Sequence, residues 1–257
     1  MAAQRPNIDL YTAETPNGYK ISITLEELGI PYKTHALSFA KNEQKSPEFL
    51  KINPNGRIPA ITDTFSDGSQ IRLFESGSIQ QYLVDEYDKD HKISYPKGTR
   101  EYYETNNWLF FLNAGVGPMQ GQANHFTRYA PEQIPYGVTR YQTETKRLYS
   151  VLNDHLATSK SGYLVGDKCT IADIAHYGWI NAAFWCGVDV EEYEHLNKWL
   201  NLMSSRSGVK KGAAVPAPMK HTKETMKDPE ALKKAAEASA KWVQSGMKED
   251  ASRHSKV

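Results

Sequence analysis

Residues 11–18 read Tyr-Thr-Ala-Glu-Thr-Pro-Asn-Gly, and their types suit the binding of an anion. Thr15 takes the N-cap position of a helix and Pro16 its first helical position. Asn17 and Gly18 then offer an amide side chain and uncrowded backbone N–H groups at the positive end of that helix. A thiolate is an anion of this kind. A second constellation is Asn53-Pro54-Asn55-Gly56-Arg57-Ile58-Pro59-Ala60-Ile61. A proline one residue into a strand removes a ladder donor and confines that strand to an edge or a bend. With a trans Ile58–Pro59 bond this is only a strand start. With a cis bond the Ile58 N–H and C=O turn outward, ready to pair with a peptide-like ligand as an extra strand. The spacing leaves both open. The third constellation is Phe74-Glu75-Ser76-Gly77-Ser78. The Ser76 hydroxyl and the N–H groups after it can hold a carboxylate, and Glu75 can hold an ammonium. Side by side they read an α-amino acid end, unless Ser76 is an ordinary cap preceded by a charge.

The elements that must position these groups are legible from periodicity. Ile8 to Thr12 is a strand, and Gly18 to Leu28 is a helix with Ile21, Leu25 and Leu28 on one face. Tyr32 to Leu37 is a second strand. A short helix opens at Ser46-Pro47, capped by the serine. Ile58 to Asp63 and Gln70 to Phe74 form a hairpin around Ser66-Asp67-Gly68. Ser76 to Tyr87 is a last helix. The order β-α-β-α-β-β-α over residues 1–88 is the thioredoxin-like order. Residues 89–98 are polar, broken by Pro96 and Gly98, and read as a linker. Strand signals then vanish, and 99–212 is predicted to be an all-helical domain, with helices over Tyr103 to Leu112, Tyr136 to Leu156, Thr170 to Trp185 and Glu192 to Ser205. Thr170-x-x-Asp173 is a capping-box variant with a structural role. Residues 213–257 form a tail with one predicted helix, from Asp228-Pro229-Glu230 to about Ser245. Its stripe of Leu232, Ala235, Ala236, Ser239, Trp242 and Val243 calls for a docking surface. Ser252 to Val257 is expected to be disordered. The fold class is thus α/β plus all-α.

Composition narrows the function. The 257 residues hold 31 Lys plus Arg and 30 Asp plus Glu, with no basic stripe, which argues against nucleic acid as a partner. No apolar run approaches the ~18 residues of a membrane span, and Met-Ala-Ala-Gln-Arg-Pro lacks the apolar core of a secretion signal. A cytoplasmic protein is expected. The two cysteines, Cys169 and Cys186, stand in unrelated contexts. They indicate neither a disulfide framework nor a metal centre. With no cysteine in the thiol corner and no Cys-x-x-Cys, the chain cannot run a dithiol cycle of its own. Tyr11, by strand alternation and bulk, is a packing residue rather than a catalyst. His125 could line a cleft, but a lone histidine is more often packed or solvated, as are His155 and His176.

The three constellations fall on one face of one small domain, and over about residues 7–210 the chain resembles the glutathione transferase superfamily. It is most similar to the nu-class bacterial enzymes and to the fungal proteins related to the yeast prion-forming nitrogen regulator. The resemblance is carried by Thr-Pro-Asn-Gly at 15–18, Ser-Pro-Glu-Phe-Leu at 46–50, Ile-Pro-Ala-Ile at 58–61 and Leu-Phe-Glu-Ser-Gly at 73–77. Further matches are Trp-Leu-Phe at 108–110, Gly-Pro-Met-Gln-Gly-Gln at 117–122, Arg-Tyr-Gln-Thr-Glu-Thr at 140–145 and Thr-Ile-Ala-Asp-Ile at 170–174.

The resemblance implies roles. Asn17 donates to the glutathione sulfur, with the Thr15 hydroxyl close by. Ile58, before a cis proline, pairs with the cysteinyl backbone. Glu75 and Ser76 hold the γ-glutamyl end. Gln44 reaches the glycyl end or a second glutathione, Arg57 adds a donor nearby, and Arg140 reaches a glutathione carboxylate. Read alone, Arg140 is a solvated helix charge, Gln44 a loop residue and Arg57 a solvated charge. The implied protein is a homodimeric transferase of the detoxification type. It uses glutathione as co-substrate, binds no metal and acts on a small electrophile or a disulfide. The alternative is a non-enzymatic regulator or ligand-binding protein on the same fold.

Overall fold

The computed structural model describes residues 6–254. Residues 1–5, which hold most of the N-terminal stretch considered above, and 255–257 lie outside the described residues.

Four strands form one mixed sheet in the order β2-β1-β3-β4. Strand β1 (Ile8–Thr12) runs parallel to β2 (Tyr32–Ala36) and antiparallel to β3 (Ala60–Thr64), which pairs antiparallel with β4 (Gln70–Phe74). Helices α1 (Pro16–Leu28), α2 (Pro47–Ile52) and α3 (Ser76–Tyr87) complete the predicted order. Two expectations about β3 are corrected. It begins at Ala60 rather than Ile58, because Pro59 has no N–H to give a ladder. It is also an inner strand, so Pro59 sits just before the sheet and not on its edge. The Ile58–Pro59 bond is cis, and so is Val215–Pro216, which the sequence did not flag.

The rest is helical: α4 (Arg100–Phe111), α5 (Gly117–Asn124), α6 (Pro135–Thr158), α7 (Ile171–Asn181), α8 (Glu194–Ser205), α9 (Ser207–Gly212) and α10 (Pro229–His254). Wide π-type turns at Leu112–Val116 and His125–Tyr129 interrupt the run from α4 through α5. The linker is pinned rather than loose. The Asp88 carboxylate accepts from the backbone N–H groups of Lys92 and Ile93 and from the Ser94 hydroxyl, at 2.7–3.0 Å. The capping box at α7 is present, and the buried Asp173 also accepts from Leu164 N and from the Trp199 indole, both at 2.9 Å.

Helix α1 is the wall between two cores. Ile21 and Leu25 join the core beneath the sheet, while Tyr19 and Ile23 join the core of the helical domain. Full burial of one such side chain is worth ~1.5–3 kcal/mol, so the two domains share one hydrophobic seam. A bidentate Arg206–Glu27 pair, at 2.9 and 2.7 Å, and a Ser22 hydroxyl donating to Gly212 O at 2.7 Å clamp the far side of the same helix.

The tail helix α10 continues to His254, past the predicted end near Ser245 and through the start of the segment expected to be disordered. It is docked. Ala235 is buried and Trp242 stacks on Phe39 at 4.9 Å between ring centroids. The Gln244 amide donates to Tyr129 O at 2.8 Å, and Lys45 pairs with Asp250 at 3.0 Å.

Candidate active site

Thr15 has extended backbone (φ −145°, ψ 157°), and its Oγ accepts from Gly18 N at 3.0 Å. The cap therefore uses the oxygen and leaves the hydroxyl proton to donate elsewhere. Only glycine fits at 18, where a Cβ would lie 2.3 Å from Ala13 O. One residue earlier, Asn17 Oδ1 accepts from the Trp179 indole Nε1 at 3.0 Å. An indole N–H is a donor only. The contact thus selects the amide oxygen for Trp179 and directs the amide NH2 to the other side. Helix α7 can come this close because residue 178 is glycine; a Cβ there would lie 2.8 Å from Pro16 O. Trp179 is itself held from behind. The buried Gln120 amide donates to Trp179 O at 2.7 Å, and the buried Tyr149 hydroxyl donates to Gln120 Oε1 at 2.7 Å.

Glu75 and Ser76 stand at the start of α3. Glu75 has a positive φ of 67°, a conformation that costs a non-glycine residue ~1–3 kcal/mol and that concentrates at functional sites. Its side chain is exposed, whereas Ser76 is buried and its Oγ accepts from Lys20 Nζ at 3.0 Å. Lys20 is only 3% exposed. Burial pulls its pKa down to about 7 against the favourable charge of Glu75. Across the seam the buried His176 donates through Nδ1 to Ala172 O at 2.8 Å, since a carbonyl can only accept. Its Nε2 has no partner, and burial pushes its pKa to about 4.

The strand register gathers these groups. Tyr11 lies opposite Ala60 and Phe74 opposite Ala60 on the other side. Ile58 therefore sits at the sheet end shared by the loop into Thr15 and by Glu75-Ser76. Thr15, Asn17, Ile58, Glu75 and Ser76 are thus brought to one end of the sheet. Arg57 is exposed, and its carbonyl accepts from the Asn53 amide at 2.6 Å. Gln44 is apart, in a short turn, Glu43–Lys45, beneath α10. It is buried, and its amide NH2 donates to Asn42 Oδ1 at 2.6 Å. The Gln44 Oε1 atom has no partner, and Asn42 donates in turn to Glu249 of α10. Arg140 is exposed, 3.9 Å from Glu144, and among the described residues no contact joins it to the corner.

Tyr11 packs as predicted, its ring stacked on His35 at 4.6 Å and tilted against Phe49 at 5.9 Å. Burial and the nearby Asp9 raise its pKa, the wrong direction for a proton acceptor. Both cysteines are buried. Burial holds the Cys169 thiol well above its usual range and pushes Cys186 up to about 11. The described residues include no cluster of three or more metal-ligating side chains, and no helix among them is long and apolar enough to cross a membrane.

Sequence reasoning missed two residues that stand behind the candidate site, Trp179 and Lys20. Lys20 carried one signal, a charge inside an otherwise buried stretch of α1. Trp179 carried none, because its partner is far away in the chain.

Comparison with known proteins agrees with this geometry. Residues 6–85 match the model of the glutathione S-transferase N-terminal domain, and 138–207 that of its C-terminal domain. The chain is 43% identical over 201 residues to the disulfide-bond oxidoreductase YfcG of Escherichia coli, covering 77% of this chain and 91% of that protein. It is 40% identical over 216 residues to the glutathione S-transferase-like protein gedE of Aspergillus terreus, covering 79% and 93%. A glutathione transferase homologue of Lodderomyces elongisporus, solved with two glutathione molecules per subunit, superposes with a TM-score of 0.79 at 48% identity, covering 82% of this chain and 99% of that one.

Proposed function

The chain belongs to the glutathione S-transferase family, and from that premise we propose that it ionises bound glutathione in the Thr15/Asn17 corner and uses the thiolate as a nucleophile, chiefly to reduce disulfides. The observation that carries this reading is the Trp179–Asn17 hydrogen bond, which engages the amide oxygen and leaves the amide NH2 to donate elsewhere. A free thiol has a pKa near 8.5 and is only a few per cent ionised at neutral pH. Lowering that value by about two units takes roughly 2.7 kcal/mol of preferential thiolate stabilisation. Donation from Asn17 and from the Thr15 hydroxyl, at the positive end of α1, is of this size.

Ile58 pairs with the cysteinyl backbone, and Glu75 and Ser76 take the ammonium and carboxylate of the γ-glutamyl end. Gln44, Arg57 and Arg140 serve the outlying carboxylates. For Arg140 this requires release from Glu144. With a disulfide substrate the thiolate attacks one sulfur, the S–S bond breaks, and the other sulfur leaves with the electron pair and takes up a proton. A second glutathione thiolate then attacks the mixed disulfide. It forms glutathione disulfide and releases the second thiol. The inert Cys169 and Cys186 support a cycle in which every reacting sulfur comes from a ligand. With a reactive carbon in place of the disulfide the same thiolate performs conjugation, a detoxification step.

The reaction belongs in the cytoplasm, where glutathione is kept reduced. The active form is a homodimer, with the exposed Tyr103 and Phe110 of α4 in the contact; light scattering that gave a monomer would remove this part. The main test compares steady-state rates with glutathione plus a small disulfide and with glutathione plus an aryl halide. Faster disulfide turnover is expected. Strong aryl-halide conjugation with no disulfide turnover would overturn the reading.

A further inference from the structure

We propose that Lys20 is a positioning residue of the glutathione site: its ammonium grips the Ser76 hydroxyl by the oxygen, and its counter-ion is the α-carboxylate of the bound γ-glutamyl group. The proposal rests on the glutathione reading above and adds to it a residue and a proton.

The argument starts from hydrogen-bond chemistry. An ammonium has three donors and no lone pair. At 3.0 Å from Lys20 Nζ, Ser76 Oγ must therefore accept. The one hydroxyl proton is then free for another acceptor. A ligand carboxylate at the start of α3 is such an acceptor, and it would lie beside Ser76 Oγ and hence near the ammonium.

The second step is electrostatic. Lys20 is almost fully buried, and among the described residues no carboxylate oxygen lies within the 4.0 Å of an ion pair with it. A buried charge without a counter-ion is unfavourable. The groups packed around it do not supply one. On α1, the Thr24 hydroxyl donates to the Lys20 carbonyl at 2.7 Å. From α3 come the neutral Ser76 and Gln80 and the charge of Glu75, whose side chain is exposed. From α7 comes His176, which stays neutral down to about pH 4. In the ligand-free protein the Lys20 ammonium is consequently lost as pH rises through about 7. A carboxylate bound at Ser76 restores it, so ligand binding above neutral pH draws in a proton.

The experiment is titration calorimetry on the full chain at pH 8 in buffers of different ionisation enthalpy. The probe is S-methylglutathione, whose blocked thiol removes sulfur ionisation from the balance. Wild type is expected to take up close to one proton per site. An analogue lacking only the γ-glutamyl α-carboxylate should bind more weakly and with no uptake. Lys20→Met should bind S-methylglutathione roughly tenfold or more weakly, the size expected for a lost charge-assisted contact, with no uptake. In steady-state kinetics the loss should fall on the KM for glutathione more than on kcat, because the proposed sulfur position is at Asn17 and not at Ser76. Wild-type binding without proton uptake, or Lys20→Met affinity within twofold of wild type, would overturn the proposal and leave the glutathione reading standing. No binding by wild type would overturn both. If Lys20→Met does not fold, the wild-type uptake and its dependence on the ligand carboxylate decide the matter.

Discussion

The corner at the start of α1 and the tail helix are built in opposite ways. In the corner, Asn17 and Ser76 are held by donors from the seam between the domains: Trp179 behind Asn17 and Lys20 behind Ser76. Helix α10 instead lies over the 39–45 turn through half-exposed contacts, with Trp242 39% exposed on Phe39 and a Lys45–Asp250 pair at the surface. Leaving a buried polar group unsatisfied costs ~1–3 kcal/mol, whereas a surface ion pair contributes ~0–1 kcal/mol. The corner is therefore held by the costlier contacts to break, and the tail by the cheaper ones. The corner residues lie within the segments matched by the two family models, and α10 lies beyond residue 207, where the second ends.

That contrast breaks most visibly at Asn17. Asn17→Ala is expected to lower kcat/KM by roughly 10²-fold or more, the usual loss for one donor to an anion. Tyr11→Phe should stay near wild type. Steady-state kinetics in which Tyr11→Phe is crippling and Asn17→Ala is silent would sink the assignment of the corner.

Trp179→Phe probes the support rather than the donor. It deletes the indole N–H and keeps an aromatic ring against Gly117 and Gly121. A loss of about tenfold in kcat is expected, with the KM for glutathione little changed. In an Asn17→Ala background the same change should have almost no further effect, because the two act as one unit. Additive losses in the double mutant would show that Trp179 acts only through packing.

The seam also has a pH signature. The folded-state pKa of His176 is depressed to about 4 from an unfolded value near 6.5. Its contribution to stability is present above about pH 6.5 and is lost as pH falls through about 4. Urea unfolding across that window should show a steeper acid loss for wild type than for His176→Gln, which keeps a donor for Ala172 O and cannot titrate. Parallel curves would show that His176 does not govern the acid limb.

The smallest effect belongs to α10. Truncation after Ala214 should raise KM values by roughly two- to fivefold, the scale of ~0.5–1 kcal/mol of partly exposed contacts, and leave kcat nearly unchanged. Because α10 sits on the Asn42–Gln44 turn, the KM for glutathione is expected to move along with that of the second substrate. Amide exchange in intact protein should be slow over 232–243. Rapid exchange throughout α10 would show that it does not cover the site.

Much of this design is local and therefore written in consecutive residues. Thr15-Pro16 starts α1, Ser46-Pro47 starts α2, Thr170 and Asp173 cap α7, and the spacing of Leu232, Ala235 and Trp242 gives the docking stripe of α10. Such signals depend on backbone groups a few positions away, so sequence alone determined the element order and the helix N-termini, including the capped start of α1 at Thr15-Pro16. Where it erred, the deciding contacts were distant. The inner position of β3 follows from pairing on both sides, and α10 extends past Ser245 because the 39–45 turn gives it a surface to lie on. The same holds within the site. Asn17 and Trp179 are separated by 162 residues, and Lys20 and Ser76 by 56. Which end of an amide faces a ligand, and where a hydroxyl sends its proton, is decided by a donor arriving from another helix. Only the packing of α1 against α3 and α7 brings those donors there.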